Sequence, residues 1–366
     1  MLNLAIDKLK EGMVVAKDIY SDKGQLLLTT NAILSNQMIT QLACYGITKV
    51  KVVEGEMPEE AKKEVEKIKA LDEAYIKRLL KSPSYRRFKR NYLAQVSSLE
   101  ISFNDIVKRD EELDQELIIK GAKKLFDENS KTAYTLLGML SALKTTDDST
   151  YSHCVNVAII SRMIGGWLDM EEDELDDLTL AALLHDIGKC SVPPDILKKK
   201  GRLLPEEYDV MKMHTTYGYG ILRGQDLPER VIDVALHHHE RADGTGYPHG
   251  LKGNSISDFA AITAIADVYD AMTSPRVYRA AMCPFDVIAT YERDGLQKYD
   301  ARIIQTFLRK IADSYINCEV IMNDGSKVRI INTNENRLTR PMVQCEDGSI
   351  LKLEEHPELY IQAIAS

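Results

Sequence analysis

Residues 172–189 read EDELDDLTLAALLHDIGK, and this stretch decides the fold class. Acidic residues crowd its first turn, where the positive end of a helix dipole stabilises them. Leu and Ala then recur at helical spacing until Gly188, followed by Pro193 and Pro194, stops the run. The spacing predicts a helix over 172–187 that carries His185 and Asp186. Lys189 stands at i+4 from the first and i+3 from the second, so the three side chains can share one face.

Working outward, residues 131–315 have helix-like apolar spacing over 133–143, 153–168, 205–222, 229–239, 257–273 and 284–291. Six of the eight His fall within 153–239: His153, His185, His214, His237, His238 and His239. They lie on different expected helices, and Asp267 lies on a further one. Imidazoles and carboxylates converging from several helices can build a metal site in a bundle core. A His/Asp set suits Fe, Mn or Zn, and the lack of thiolate ligands argues against structural zinc. A carboxylate can bridge two metals where an imidazole normally does not, so an Asp among many His suggests a binuclear centre. Two metals about 3.5–4 Å apart are a recurrent solution for phosphate-ester hydrolysis, and a nearby Lys would add a point charge for phosphate. Any one of these His taken alone is more often a capped or core residue than a ligand. His237 falls on the wrong face of its helix and is left out. His249 and His356 read as surface residues without partners.

The remainder of the chain divides by composition. Residues 1–54 read as a small mixed α/β accessory domain, with strands at Met13–Ala16 positions 13–16, at 25–28 and at 49–53, and a helix over 35–45. Residues 55–130, rich in Glu, Lys, Ala and Leu, read as a helical linker of two to four helices that could pair two chains. Within it, Lys77, Arg78, Lys81, Arg86, Arg87, Lys89 and Arg90 form a run without an acidic residue between 74 and 99. The plain reading is a solvated helix face, and the sharper one a docking patch for an acidic partner or a nucleotide. Residues 131–316 read as the helical unit that carries the His/Asp cluster and would be the catalytic domain. In 317–366, apolar pairs of strands flank Asn323-Asp324-Gly325 and Asp347-Gly348, which predicts a small, hairpin-rich β appendage.

The 366 residues carry 47 Lys+Arg against 56 Asp+Glu, a formal charge of −9. Such a chain is a poor binder of nucleic-acid polymers, whose affinity comes largely from neutralised phosphates. Six scattered Cys with no CxxC fit reduced thiols, and the opening residues lack the charged start and apolar core of a signal peptide. The longest uncharged stretch is too polar to span a bilayer. The expectation is a cytoplasmic protein without a membrane segment. No phosphate-binding glycine loop is present: Gly218, Gly220 and Gly224 miss the dinucleotide spacing.

The run His185-Asp186-Ile187-Gly188-Lys189 resembles the HDIGK motif of HD-domain phosphohydrolases. The run from His238 through Pro248, HHERADGTGYP, resembles the HHExxDGxGYP motif of the HD-GYP subgroup. The surroundings also fit: Thr150 before His153, Ile196, Leu197 and Lys199 before Gly201, and the 267–271 run before Arg276, Tyr278 and Arg279. The resemblance covers about half of the chain. It implies a mainly α, helical-bundle metal site that hydrolyses cyclic di-GMP, a bacterial second messenger, to pGpG or GMP, with Fe or Mn ahead of Zn, Mg or Ni. By motif position the ligands would be His153, His185, Asp186, His214, His238, His239 and Asp267, with Asp186 bridging. Lys189 would contact phosphate or the attacking water, Tyr247 would sit against the substrate, and Arg276 and Arg279 would bind its phosphates or a guanine edge. Some family members carry an extra Glu where this chain has Ser149, so two metals are expected rather than three. Ala261 and Val277 also depart from the family pattern without removing a ligand. Two rival readings remain: a sensor that binds cyclic di-GMP without turnover, and a hydrolase of another cyclic dinucleotide. The accessory segments would serve a protein partner.

Overall fold

The computed structural model describes parts of residues 2–52, and residues 80–365 apart from 128–132, 144–148, 200, 202, 274–281 and 295. Near the N-terminus, strand β1 (Leu2–Ala5) pairs antiparallel with β4 (Lys49–Val52), and β2 (Ile19–Tyr20) with β3 (Leu26–Leu28). Within the strand expected at 13–16, of which residue 14 is not described, Val15 forms a bridge to Val52 and joins a small core with Leu34, Leu42 and Val50. The helix expected over 35–45 lies largely outside the described residues.

The helical body begins with α1 (Pro83–Arg109), where the Ser82 hydroxyl accepts the Tyr85 N–H at 3.1 Å and Pro83 opens the first turn. Its apolar stripe, Phe88, Tyr92, Leu99, Phe103 and Ile106, is buried, while Lys81, Arg86, Arg87 and Arg90 lie exposed beside it. Then come α2 (Gln115–Asp127), α3 (Ala133–Leu143), α4 (Thr150–Trp167) and α5 (Glu172–Leu184). After the single turn α6 (Pro194–Leu197) follow α7 (Pro205–Lys212), α8 (His214–Leu222), α9 (Glu229–His237), α10 (Asp258–Thr273), α11 (Pro284–Asp294) and α12 (Ala301–Ser314). Helices α4 and α10 are buried along most of their length, α4 without a break from Cys154 to Gly165, and α5 is buried from Leu178 to Leu184 beyond its acidic first half. They form the centre of the bundle and present the functional side chains from their ends and inner faces.

The segment expected as a linker is part of this body where it is described. Phe88, Phe103, Ile118 and Leu125 belong to the same apolar core as Ile160 and Leu180. Polar contacts add to the joint. The Tyr92 hydroxyl donates to Asn156 Oδ1 at 2.8 Å, and Gln95 Nε2 donates to the Ile118 carbonyl at 2.8 Å. Arg162, 3% exposed, reaches Asp176 Oδ1 at 2.8 Å and also pairs with Glu172, which Lys123 of α2 meets at 2.7 Å. A buried guanidinium needs such partners, since an unpaired buried charge is costly.

The tail forms the small β unit expected, and it packs on the helical body. Its five strands, β5 (Glu319–Met322), β6 (Lys327–Asn332), β7 (Met342–Cys345), β8 (Ile350–Lys352) and β9 (Ile361–Ile364), form one antiparallel sheet in the order β8-β7-β6-β5-β9. Val320 faces Val328, and Val343 faces Leu351. The two Asp-Gly turns form as expected, with Gly325 at φ 80° and Gly348 at φ 86°. Val320, Ile330 and Val343 join the bundle core, and Glu292 of α11 accepts the Leu338 N–H at 3.1 Å. Among the described residues no helix is long and apolar enough to cross a membrane.

Because the segment 80–127 shares the bundle core, Phe88→Ala should lower the stability of the whole helical body by about 3–5 kcal/mol, read from the denaturant midpoint. A loss below about 1 kcal/mol would mean that this segment is a free spacer after all.

Candidate metal centre

Helix α5 stops earlier than its apolar pattern suggests, and the stop builds the site. The helix ends at Leu184, His185 caps it, and Asp186 leaves the helical path into a tight turn over 187–191. The shared helix face expected for His185, Asp186 and Lys189 is thus a capped helix end and turn. The His185 Nδ1 hydrogen is donated to the Ala182 carbonyl at 2.7 Å, one of the carbonyls that a helix end leaves without a backbone partner. Gly188 lets this turn lie on α8: a Cβ there would sit 1.9 Å from the His214 carbonyl oxygen.

The same device recurs at two other imidazoles. The helix expected over 205–222 breaks at Met213, where the His214 Nδ1 hydrogen goes to the Met211 carbonyl at 2.7 Å and the Thr215 hydroxyl to Lys212 at 3.1 Å. Side chains that take helix carbonyls in this way compete with the helical ladder. At the end of α9, His238 Nδ1 bonds the Val234 carbonyl at 2.9 Å. In each case the bond commits an Nδ1 hydrogen to the carbonyl and turns Nε2 inward.

All seven residues expected as ligands converge. Asp186, 1% exposed, lies between two groups. Its Oδ1 faces His214 Nε2 at 3.4 Å and His238 Nε2 at 3.8 Å. Its Oδ2 faces His185 Nε2 at 3.4 Å and His153 Nε2 at 3.7 Å, and bonds Lys189. Donor atoms of His214, His238 and His239 lie within 4.8 Å of one another, as do those of His153, His185 and Asp267.

These residues fit metal ions on two grounds. His214 and His238 turn Nε2 atoms toward each other across 3.3 Å while their Nδ1 hydrogens go to carbonyls, so a cation between them would relieve the meeting of two lone pairs. His185 Nε2 and Asp186 Oδ1 are buried without a hydrogen-bond partner. Separations of 3.1–3.8 Å across the group are close to those of two donors that share one ion at about 2.0–2.2 Å from each.

The electrostatics divide in the same way. Burial would raise the Asp186 carboxyl, but Lys189 and His185 hold it well below the usual carboxylate range. Burial likewise opposes ionisation of Asp267, and the His153 bond keeps it low. On the Oδ2 side the carboxylates overcome burial and lift His153 to about 9 and His185 to about 10. On the Oδ1 side burial prevails, lowering His214 and His238 and bringing His239 down to about 3. One half therefore offers neutral imidazoles, and in the other the carboxylates favour a positive charge, which a metal ion would supply in place of the imidazole protons.

A cleft of about 710 Å³ opens over the group, lined by His153, Lys189, His239, Tyr247, Arg241 and Lys298 among others. The Tyr247 ring packs on His239 at 4.8 Å between centroids. Its loop is tight: a Cβ on Gly246 would lie 2.4 Å from the Arg241 nitrogen. Ser149, at the position where some family members carry an extra Glu, caps α4 by accepting the Ser152 N–H at 3.2 Å and also lines the cleft. Arg276 and Arg279 lie outside the described residues.

Two residues outside the seven expected ligands shape the site. Asp270, one turn after Asp267, bonds His153 Nδ1 at 2.7 Å and orients that ring; its i+3 spacing from Asp267 was the available signal. Glu240, 1% exposed, accepts the N–H groups of His249, Gly250 and Leu251 and so shapes the Tyr247 loop. His249, expected to lack a partner, meets His237 at 3.0 Å, and His356 meets Glu358 at 3.3 Å.

Residues 118–303, half of the chain, match the family described as HD domain. A cyclic di-GMP phosphodiesterase of Pseudomonas aeruginosa is 33% identical over 241 residues, covering 64% of this chain and 58% of that protein. A cyclic di-GMP phosphodiesterase of Thermotoga maritima is 36% identical over 205 residues, covering 54% of this chain and 56% of that one. The chain thus spans a little over half the length of these relatives. Among solved structures, an HDG"Y"P protein from Bdellovibrio bacteriovorus aligns over 84% of this chain and 98% of its own with a TM-score of 0.51 at 18% identity, a likeness of fold.

If Asp270 orients His153, Asp270→Asn should weaken metal binding about 10–100-fold in a chelator competition, with the helical circular dichroism unchanged. Unaltered affinity would remove Asp270 from that role.

Proposed function

The chain belongs to the HD-domain family, and from that premise we propose that it is a metal-dependent phosphodiesterase that hydrolyses cyclic di-GMP to pGpG or GMP in bacterial second-messenger signalling. The family implies a divalent metal centre, and the His/Asp groups needed for it are present. The observation that carries the reading is the Asp186 carboxylate, with one oxygen facing His214 and His238 and the other facing His153 and His185.

In this reading His214, His238 and His239 would hold one ion and His153, His185 and Asp267 the other, with Asp186 a ligand to both. The donors are all nitrogen and oxygen, which suits Fe or Mn, with Zn, Mg or Ni as alternatives. When bound, the ions supply the Lewis acidity that activates water and neutralises charge building on the phosphate. The chain's own residues do the rest. Lys189 sets a positive charge beside Asp186 at the cleft floor, where it can meet a phosphate oxygen or hold the attacking water. Tyr247 forms an aromatic wall against which a guanine can lie, and burial raises its pKa, so the hydroxyl stays protonated. Arg276 and Arg279 are assigned to the phosphates or a guanine edge by their motif positions. A cleft of about 710 Å³ is in the range that takes a nucleotide-sized ligand.

The division at 54, 130 and 316, the cytoplasmic setting, the pairing of two chains through 55–130 and a protein partner at the end segments belong to the same proposal. Exposed Leu93 and Ile101 on α1 support the pairing.

Protein loaded anaerobically with Fe or Mn should convert cyclic di-GMP to linear product. Binding without turnover would favour the sensor, and preference for a mixed GMP–AMP ring in a competition assay would change the substrate. His185→Ala should lose both metal and turnover; retained activity would break the ligand assignment. Arg276→Ala should raise KM with metal content unchanged, and a fall in metal content there would contradict its substrate role.

A further inference from the structure

Next to the Asp186 centre, at the end of α9, lies a second set of donors that the phosphodiesterase reading leaves unused. His237 Nδ1 bonds Asp233 Oδ1 at 2.7 Å, and the Ser257 hydroxyl donates to Asp233 Oδ2 at 2.6 Å. The first bond puts the hydrogen on Nδ1, so His237 Nε2 presents a lone pair. That nitrogen lies 3.0 Å from His249 Nδ1. Glu240 completes the set: donor atoms of His237, Glu240 and His249 lie within 4.8 Å of one another. The Glu240 carboxylate is already oriented. Its Oε1 accepts the N–H groups of His249 at 2.7 Å and Gly250 at 3.1 Å, and its Oε2 accepts that of Leu251 at 3.0 Å. One lone-pair direction on Oε2 remains.

We propose that His237, His249 and Glu240 form a separate site for a zinc ion or a cation of similar borderline character, which clasps the loop between residues 240 and 249. Two imidazoles and one carboxylate, with a water in the fourth position, form a common zinc ligand set. The paired nitrogen donors disfavour Mg²⁺ and Ca²⁺, which prefer oxygen. Asp233 behind His237 repeats the carboxylate–imidazole arrangement that Asp270 and His153 form at the main centre. His249 is exposed, whereas Glu240 is 1% exposed, so the ion can exchange with solvent while one ligand stays anchored.

The position gives such an ion a consequence. Glu240 begins the loop and His249 ends it, and between them Tyr247 packs on His239 in the cleft. An ion held by both ends limits how far Tyr247 can move from His239, and so couples zinc availability to the shape of the cleft.

The test uses the full chain and zinc itself, dialysed against a buffered free-zinc series and followed by elemental analysis. Wild type should bind one more zinc per chain than His249→Ala. The same difference should appear between His185→Ala and the His185→Ala, His249→Ala double variant, because the site is independent of the main centre. Asp233→Asn should weaken this one zinc about 10–100-fold. Zinc should also slow amide hydrogen exchange over 240–251 in wild type and not in His249→Ala. Equal zinc content in wild type and His249→Ala would overturn the proposal and leave an Asp–His–His hydrogen-bond chain; bound zinc without the exchange difference would overturn the clasp. The readouts are bound zinc and exchange, so failure here is distinguishable from failure of the phosphodiesterase reading.

Discussion

A carboxylate that is 1% exposed, Asp186, sits at the centre of the bundle with imidazoles on both oxygens and an ammonium beside it. Burying an ionised group is costly unless charge and hydrogen bonds compensate. Here the compensation comes from α4, α5, α8 and the end of α9, so helices distant in sequence must meet at one point. The apolar cores of α4, α5 and α10 keep them there, and Arg162 ties α4 to α5 with its own buried pairing.

The helix ends are shaped by the same residues that would hold metal. His185, His214 and His238 each give Nδ1–H to a carbonyl of the preceding turn, which ends or interrupts the helix and directs Nε2 inward. A single hydrogen bond thus caps the helix, selects the tautomer and aims the donor. Periodicity could locate these helices but not this detail, because a pattern of apolar residues carries no record of which carbonyl a side chain takes. For that reason the sequence reading ran 172–187 and 205–222 as unbroken helices, whereas the chain breaks at His185 and Met213.

The site itself was more legible than its supports. Clustered His and the two motifs pointed to the seven residues that converge. Asp270 and Glu240 act through hydrogen bonds to His153 and to loop amides, and such roles follow from geometry rather than residue type. Phe103 and Val320, beyond the proposed boundaries at 130 and 316, share one apolar core with the bundle, a contact that composition shifts do not record. The formal charge of −9 argued against a polyanion binder, and the cleft shows how an anionic substrate could still be served. Lys189, Arg241 and Lys298 line it beside the carboxylates of the centre.

The central claim is that Asp186 is shared between two ions. Electron paramagnetic resonance of the full chain loaded with Mn²⁺ tests it most directly, because two ions joined by one carboxylate are magnetically coupled. The account predicts the signal of an exchange-coupled pair in wild type and its loss in Asp186→Ala. A spectrum of isolated ions in fully loaded wild type would contradict it.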